Sequence, residues 1–494
     1  MKIRVASNYK IAFILGLFMI AGASAILVIA MTHWGPGLFD LDSFNYLGSA
    51  RSFASGNGVQ IPVSPTSLRP MLNFAPLFAV ILAVFEFLGA DAMAAARWLN
   101  AILFGVNLLL FAVLVFKSTG SRRLTLAASF IFFLSPDLLE AHAWVLSEPL
   151  LITFMLSSLL AFVMWQTSHK RVWVVVFCAS IGLGVLTKFV AAAIIPPFVI
   201  LLMLGQARWR TRLAYSFITV LAGLVPFSMW SLRSFLLSDS FHGFTFSYIP
   251  LERGNLISAF FTMHTWFVPE SLLFGREIFV LLLVIILILT AGFYLYRKAQ
   301  KEGVKNLTVP LFTALLFVFY LSVVIFAKVM FDHGVGFQDR MFIPLFPFLL
   351  VTIVIVAHHI FEDIRPWGRW VVLATIGYLA IISFIGSFVS LPVIYEEGLG
   401  WNARRIVSSP ALAKLKAIST DPEVQLFNNE PYGMFFHTGQ VGNRLKGFPP
   451  AEKAYLVLFK IHRDSEHPLP SRYPEELELI AEDEILSIHL FDPN

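Results

Sequence analysis

The sequence predicts an α-helical polytopic membrane protein with about eleven transmembrane helices, additional juxtamembrane helices and a small extracytoplasmic α/β domain at its C-terminal end. Three observations predict it. The 494 residues are 57% hydrophobic and 14% charged, whereas soluble domains carry roughly 25% charged residues. Apolar runs of span length recur through residues 1–392, and Lys and Arg gather in short segments between them. The net charge of +5 therefore reads as positive-inside topology and not as a surface for nucleic acid. Beyond about residue 392 the composition turns polar over roughly 100 residues, a usual size for a small domain.

In chain order, Lys2, Arg4 and Lys10 precede a first apolar run, Ile11–Met31. About 20 residues suffice to cross roughly 30 Å of hydrocarbon. Gly22 to Ala25 is followed by more apolar sequence and not by a polar start, so the run reads as an uncleaved first helix. Next come two carboxylates, Asp40 and Asp42, a helix-like pattern of Tyr46, Leu47, Ala50, Phe53 and Ala54, and a glycine stop at Gly56 and Gly58. Further apolar runs lie near 71–89, 94–116, 122–136, 147–166, 172–187, 189–204, 213–236, 276–297, 308–330, 341–360 and 370–392.

The basic residues Lys117, Arg122, Arg123, Lys170, Arg171, Arg208, Arg210, Arg212, Arg297, Lys298, Arg365 and Arg369 belong on the cytoplasmic side, with the N-terminus. These assignments agree only if one run before Lys117 does not cross. The run 71–89 follows Pro62, Pro65 and Pro70 and contains Pro76 and Glu86, so it reads as a juxtamembrane or re-entrant helix on the outer face. The outer parts are then the first loop 33–93, a short loop 136–146, a tight turn at Thr187–Lys188, the loops 238–276 and 332–340, and the tail 393–494. In that tail Pro410–Ile418 looks helical, and Val424–Phe427, Ala454–Phe459 and Leu486–Phe491 look like strands. The lone cysteine, Cys178, excludes an intramolecular disulfide.

Charged residues near span ends gather on the outer side: Asp40, Asp42, Glu148, Lys188, Arg233, Lys328, Asp332, Asp339 and Arg340. A charge at a helix centre costs about 2.5–3.5 kcal/mol on insertion scales, so the pattern suggests a polar chamber at the outer leaflet. Such a chamber suits a sugar carried on polyprenyl phosphate. The tail of that carrier can lie along the spans, and its phosphate calls for Lys or Arg. A sugar acceptor calls for a carboxylate base. No cofactor is indicated. The weak alternative is a divalent cation held by Asp40 and Asp42 with help from Glu148. The Trp266–Phe267 pair reads as an interfacial aromatic belt.

At these residues the chain resembles a family. Asp42 to Ala50 with Gly56 and Gly58, followed by Pro70 and Pro76, is similar to the first outer loop of the GT-C glycosyltransferases, relatives of protein O-mannosyltransferases and lipid A aminoarabinose transferases. Leu146–Leu150 resembles their second acidic site, and Gly182–Lys188 a glycine-rich span ending in a basic residue. Trp230–Arg233 and Asp339–Arg340 before Pro344 and Pro347 also match. The resemblance covers residues 1–392. The tail, with Gly400–Asn402 and Phe427–Pro431, looks like that of uncharacterised bacterial relatives and departs from the characterised transferases, which leaves the acceptor open.

The resemblance implies an inverting, polyprenyl-phosphate-sugar-dependent transferase of the bacterial cytoplasmic membrane, with its site on the periplasmic side. Its partners would be the lipid-linked sugar, the bilayer and a glycan, lipid or protein acceptor, with no nucleic acid. Asp42 is the expected catalytic base, against the plain reading of a helix N-cap. Glu148 is the second expected catalytic carboxylate, orienting the base or binding the acceptor, against a simple first-turn preference. Lys188, Arg340, Arg233, Arg69, His142 and Tyr46 are the expected substrate contacts; Lys188 could instead snorkel, and Arg233 could meet lipid headgroups. A transporter or flippase of a lipid-linked glycan is the alternative, although repeats and midplane charge are missing from the sequence. A non-catalytic protein whose tail binds a partner is the third reading.

Overall fold

The structure, a computed structural model, describes residues 2–238, 248–266, 307–331, 339–363, 366–421, 423–445, 448–450, 452–461 and 477–493, with isolated positions between 292 and 300. Among the described residues, seven helices are long and apolar enough to cross a membrane: Tyr9–Met31, Ala92–Thr119, Glu148–Ser168, Trp209–Ser238, Thr308–Phe331, Arg340–Asp363 and Ala380–Glu397. One further helix pair is apolar enough to cross only if its two bent halves are taken together. Arg122–Phe133 (α5) is followed by Pro136–Ala143 (α6), turned by 55°. The sequence led us to expect a plain loop at 136–146. It is helical because Ser135 caps it, accepting from the Leu138 N–H at 3.4 Å, and Pro136 takes the first helical position, where no N–H is needed. The expected span 276–297 lies outside the described residues.

The bundle begins with Lys2–Met31 (α1), packed on Ala92–Thr119 (α4). The two approach closely at Gly105, where a Cβ would stand 2.7 Å from the Ala21 carbonyl oxygen. Small residues at such crossings let helix backbones touch when there is no hydrophobic drive between helices in lipid. Glu148–Ser168 (α7) packs on α4 and on Arg171–Thr187 (α8). α8 meets Trp209–Ser238 (α10) at Gly182, where a Cβ would be 2.9 Å from the Ala222 carbonyl oxygen. The expected turn after α8 is a break at Lys188, whose backbone is extended (φ −158°, ψ 129°). A 3₁₀ segment, Phe189–Ile194, and the helix Ile195–Leu204 (α9) follow. Phe104, Phe111, Phe132, Phe162, Phe198 and Phe312 fill the bundle core.

The run read as juxtamembrane is the 11-residue helix Leu77–Phe87 (α3), about 17 Å long at 1.5 Å per residue and too short to span. It packs on Asp40–Ala54 (α2) and α4. Between α2 and α3 lies a hairpin, Gln60–Ser64 (β1) antiparallel to Ser67–Pro70 (β2). Gly56 (φ +83°) and Gly58 (φ +79°) turn the chain out of α2 through the left-handed region, which glycine occupies without penalty.

The tail forms a five-stranded sheet in the order β4-β3-β5-β7-β6. The strands are Gln425–Asn428 (β3), Asn443–Arg444 (β4), Ala454–Phe459 (β5), Glu478–Glu482 (β6) and Leu486–Phe491 (β7). β3 runs parallel to β4 and β5, while β7 is antiparallel to β5 and β6. The helices Pro410–Ile418 and Pro431–Thr438 accompany the sheet. One apolar cluster joins this tail to α2 and α3. It runs from Leu412, Leu426 and Phe435 to Leu47 and Phe78. Trp266 is also buried, 5.2 Å from the ring of Phe346, and not on a lipid-facing belt; Phe267 lies outside the described residues.

Candidate active site

α2 is a buried helix with polar residues on its inner faces. Ser43, Asn45, Ser49 and Ser52 are all buried, and each finds a partner, as buried polar groups require. Ser43 Oγ accepts from the Phe39 N–H at 2.7 Å and donates to the Val145 carbonyl at 3.0 Å. That arrangement starts the helix at Asp40 with Phe39 at the N-cap and no side-chain cap. Asp42 is therefore not the cap. It stands in the first turn, and its side chain reaches outward from the helix to Arg340.

Arg340 Nη1 lies 2.5 Å from Asp42 Oδ2, and its guanidinium stacks 3.9 Å from the centroid of the Phe39 ring. A second ion pair sits beside the first. Lys188 Nζ is 2.5 Å from Glu148 Oε1. Glu148 is the first residue of α7, and Lys188 ends α8, where the break in the helix frees its side chain from the helical stack. The pairs differ in wetness. Glu148 is 1% exposed, while Lys188 and Arg340 are each 24% exposed and Asp42 14%. The second carboxylate oxygen of Glu148 is buried with no hydrogen-bond partner among the described residues.

The two pairs feel one another. Burial pushes the Asp42 carboxyl above the ordinary carboxylate range; Arg340 and Lys188 pull it down, and Glu148 pushes it up. Tyr46 interacts with both pairs. Its hydroxyl shares a 2.8 Å hydrogen bond with Ser147 Oγ, and its phenol is raised far beyond its usual range by burial, with Asp42 and Glu148 adding to the shift. The structure thus brings together Asp42, Arg340, Glu148, Lys188 and Tyr46. All lie at the end of the bundle opposite the Lys117–Arg123 segment, since α4 and α7 start at that end and α8 and α10 finish there.

Three expected substrate contacts do not join this group. His142 is buried, with Nε2 3.1 Å from Asn107 Nδ2 and Nδ1 2.6 Å from the Leu138 carbonyl, and its ring packs 4.7 Å from that of Phe104. Both nitrogens are engaged by the protein because 136–143 is a helix that turns this side chain inward. Arg233 is a strap. It donates to the carbonyls of Met71 (3.2 Å) and Val59 (3.0 Å) and stacks 4.3 Å from the Trp230 ring, so α10 grips the hairpin and does not reach for lipid headgroups. Arg69 is exposed on β2, paired across the hairpin with Ile61.

Asp40 also leaves the carboxylate group, since its Oδ1 accepts from Trp401 Nε1 at 2.5 Å. Among the described residues no set of three His, Cys, Asp or Glu side chains is placed to hold a metal ion. Sequence reasoning missed Ser147 and Asn107. Asn107 donates to the Pro149 carbonyl at 3.0 Å and accepts from Thr153 at 2.7 Å, which anchors the start of α7 and with it Glu148. The one signal for it was an amide inside an apolar run.

Residues 70–238 match the model of the dolichyl-phosphate-mannose-protein mannosyltransferase family. That stretch includes Glu148, Lys188 and Arg233 and leaves Asp42 and Arg340 outside it. A crystal structure of ArnT from Cupriavidus metallidurans bound to undecaprenyl phosphate superposes with a TM-score of 0.61 at 16% identity, covering 98% of each chain. The apo state of the same protein gives 0.61 at 15% identity, again over 98% of each chain. The chain has the GT-C glycosyltransferase fold. No curated protein matches the sequence significantly. The likeness covers 98% of the chain and so extends into the tail, which the sequence led us to expect would differ.

Proposed function

We propose that this GT-C chain moves a sugar from a polyprenyl-phosphate carrier to an acceptor on the periplasmic face of a bacterial cytoplasmic membrane, with inversion at the anomeric carbon. Residues 1–392 would form the membrane-embedded catalytic unit and 393–494 an outer domain. The observation that carries the reading is the pair of neighbouring ion pairs, Asp42–Arg340 and Glu148–Lys188, on a fold whose solved relative holds undecaprenyl phosphate.

In this mechanism the acceptor hydroxyl attacks the anomeric carbon while Asp42 takes its proton. The bond between that carbon and the phosphate oxygen breaks, and the lipid phosphate leaves. Its charge falls on Lys188 and Arg340, the more exposed partners of the two ion pairs. Cations aimed at charge that develops in the transition state lower the barrier more than ones that bind the ground state equally. Glu148 orients Lys188, and its unpartnered oxygen suits a hydroxyl of either substrate. Tyr46 holds Ser147 beside it. Positive-inside bias places Lys117, Arg122 and Arg123 in the cytoplasm and this site across the membrane from them.

Asp42→Asn tests the base. Transfer of labelled sugar from undecaprenyl phosphate by the purified enzyme is expected to fall on the order of 10²–10⁴-fold, with the thermal transition in detergent unchanged. An active Asp42→Asn enzyme removes Asp42 from the chemistry.

A further inference from the structure

The approach to Asp42 is fastened residue by residue, and three of the fasteners come from the segment after the last membrane helix. Asn402 Nδ2 donates to the Pro36 carbonyl at 2.8 Å. Gly400 bridges Leu38 in a left-handed conformation (φ +56°), and a Cβ there would run into the Leu38 carbonyl. Trp401 Nε1 donates to Asp40 Oδ1 at 2.5 Å. The indole is 4% exposed. Its ring lies flush on Gly433, where any side chain would collide with it, and edge-on to Phe459, 5.7 Å between centroids. The donor is thus held rigidly by the tail, and the acceptor is the first residue of the helix that carries the base.

Asp40 and Asp42 are two positions apart, about 200° around a helix of 3.6 residues per turn. One carboxylate is held from the tail side and the other by Arg340. Phe39, between the tail contacts and Asp40, also forms the floor under the Arg340 guanidinium. Fixing the start and rotation of α2 at Asp40 fixes the direction of Asp42 and the seat of its partner. We propose that Trp401 is a positioning residue for Asp42, acting through Asp40, so that residues 399–402 belong to the active centre. This rests on the reading of Asp42 as the base. Misplacing a catalytic group by an ångström costs far more in rate than in ground-state binding.

The test uses the purified full-length protein. Trp401→Phe keeps an aromatic ring and deletes the N–H. Asp40→Ala deletes the acceptor, and Asp40→Asn keeps an acceptor oxygen without the charge. With undecaprenyl-phosphate-linked labelled hexoses and pentoses as donors, Trp401→Phe and Asp40→Ala should lower kcat about tenfold and leave the donor KM within about twofold. Asp40→Asn should retain near-normal turnover. Deuterium exchange should rise in residues 40–46 of Trp401→Phe while residues 454–459 keep their protection.

Normal kcat in Trp401→Phe, or an Asp40→Asn enzyme as damaged as Asp40→Ala, overturns the proposal. So does a loss of protection that spreads through the sheet, which would mean that Trp401 only holds the tail together. An active Asp42→Asn enzyme would instead sink the base assignment itself. If no donor turns over with the unaltered enzyme, exchange in residues 40–46 decides: faster exchange upholds the latch, and unchanged exchange overturns it.

Discussion

Asp42 and Arg340 are separated by 298 positions in the sequence, yet they form one ion pair. A carboxylate taken from water holds its proton more tightly, and a cation in contact loosens it. For Asp42 burial wins, so its carboxyl sits above the ordinary range. The sign for activity follows. A base works only when deprotonated, so turnover should fail as pH drops through a value higher than the roughly 3.9 of a free aspartate. Arg340→Gln removes a group that lowers this value, and the acidic limb of the kcat profile should move up. Glu148→Gln removes a group that raises it, and the limb should move down. A pH–rate series on the two variants checks both directions, and limbs that stay in place would show that another group titrates. The members of the site were legible because a charge at the edge of an apolar run has few uses. Their pairing was not, since nothing local in the sequence joins residue 42 to 340 or 40 to 401. His142 misled for a related reason: its partner Asn107 lies on another helix, and only the helical form of 136–143 turns the ring inward.

At the scale of elements, the apolar runs gave nearly every helix of the described bundle, because span length is imposed by the bilayer and not by the protein. The run 71–89, which parity of the basic clusters reads as juxtamembrane or re-entrant, holds a helix of 11 residues. The bent pair was harder. Arg122–Phe133 and Pro136–Ala143 read as one span and a loop because the cap at Ser135 restarts a helix too short to show periodicity. In the tail β5 and β7 were visible from their β-branched and aromatic content. β4 has two residues and β6 has Glu at both ends, so neither carries a strand signature; charge on an edge strand such as β6 guards against pairing with another chain. Helix crossings rest on small residues. Gly105→Leu should force α1 from α4 and lower stability by about 1–3 kcal/mol, measured as a fall in the detergent melting temperature. Gly22→Leu, at a position facing no neighbour within 4 Å, should leave the melting temperature unchanged.

For the whole molecule, the distribution of charge makes a directional statement. The end that carries the paired carboxylates should face away from the cytoplasm. In a Cys178→Ser background, Thr66→Cys at the hairpin tip should react with a membrane-impermeant maleimide in spheroplasts, and Ser121→Cys should react only after lysis. The reverse pattern would invert the topology. The general architecture was legible because hydropathy and charge bias are whole-chain properties. The joint between tail and bundle was not, because the apolar cluster that unites Leu47 and Phe78 with Leu426 and Phe435 is spread over strands and helices far apart in sequence. That joint has a consequence for biogenesis. Asp40 is secured by a residue made 361 positions later. A nascent chain on the ribosome can insert its first helices long before Trp401 exists, so the loop ahead of α2 stays unfinished until translation has passed residue 402. If Asp42 is the base, the proposed centre is completed only near the end of synthesis, and a partly made chain would lack the contact that fixes Asp40.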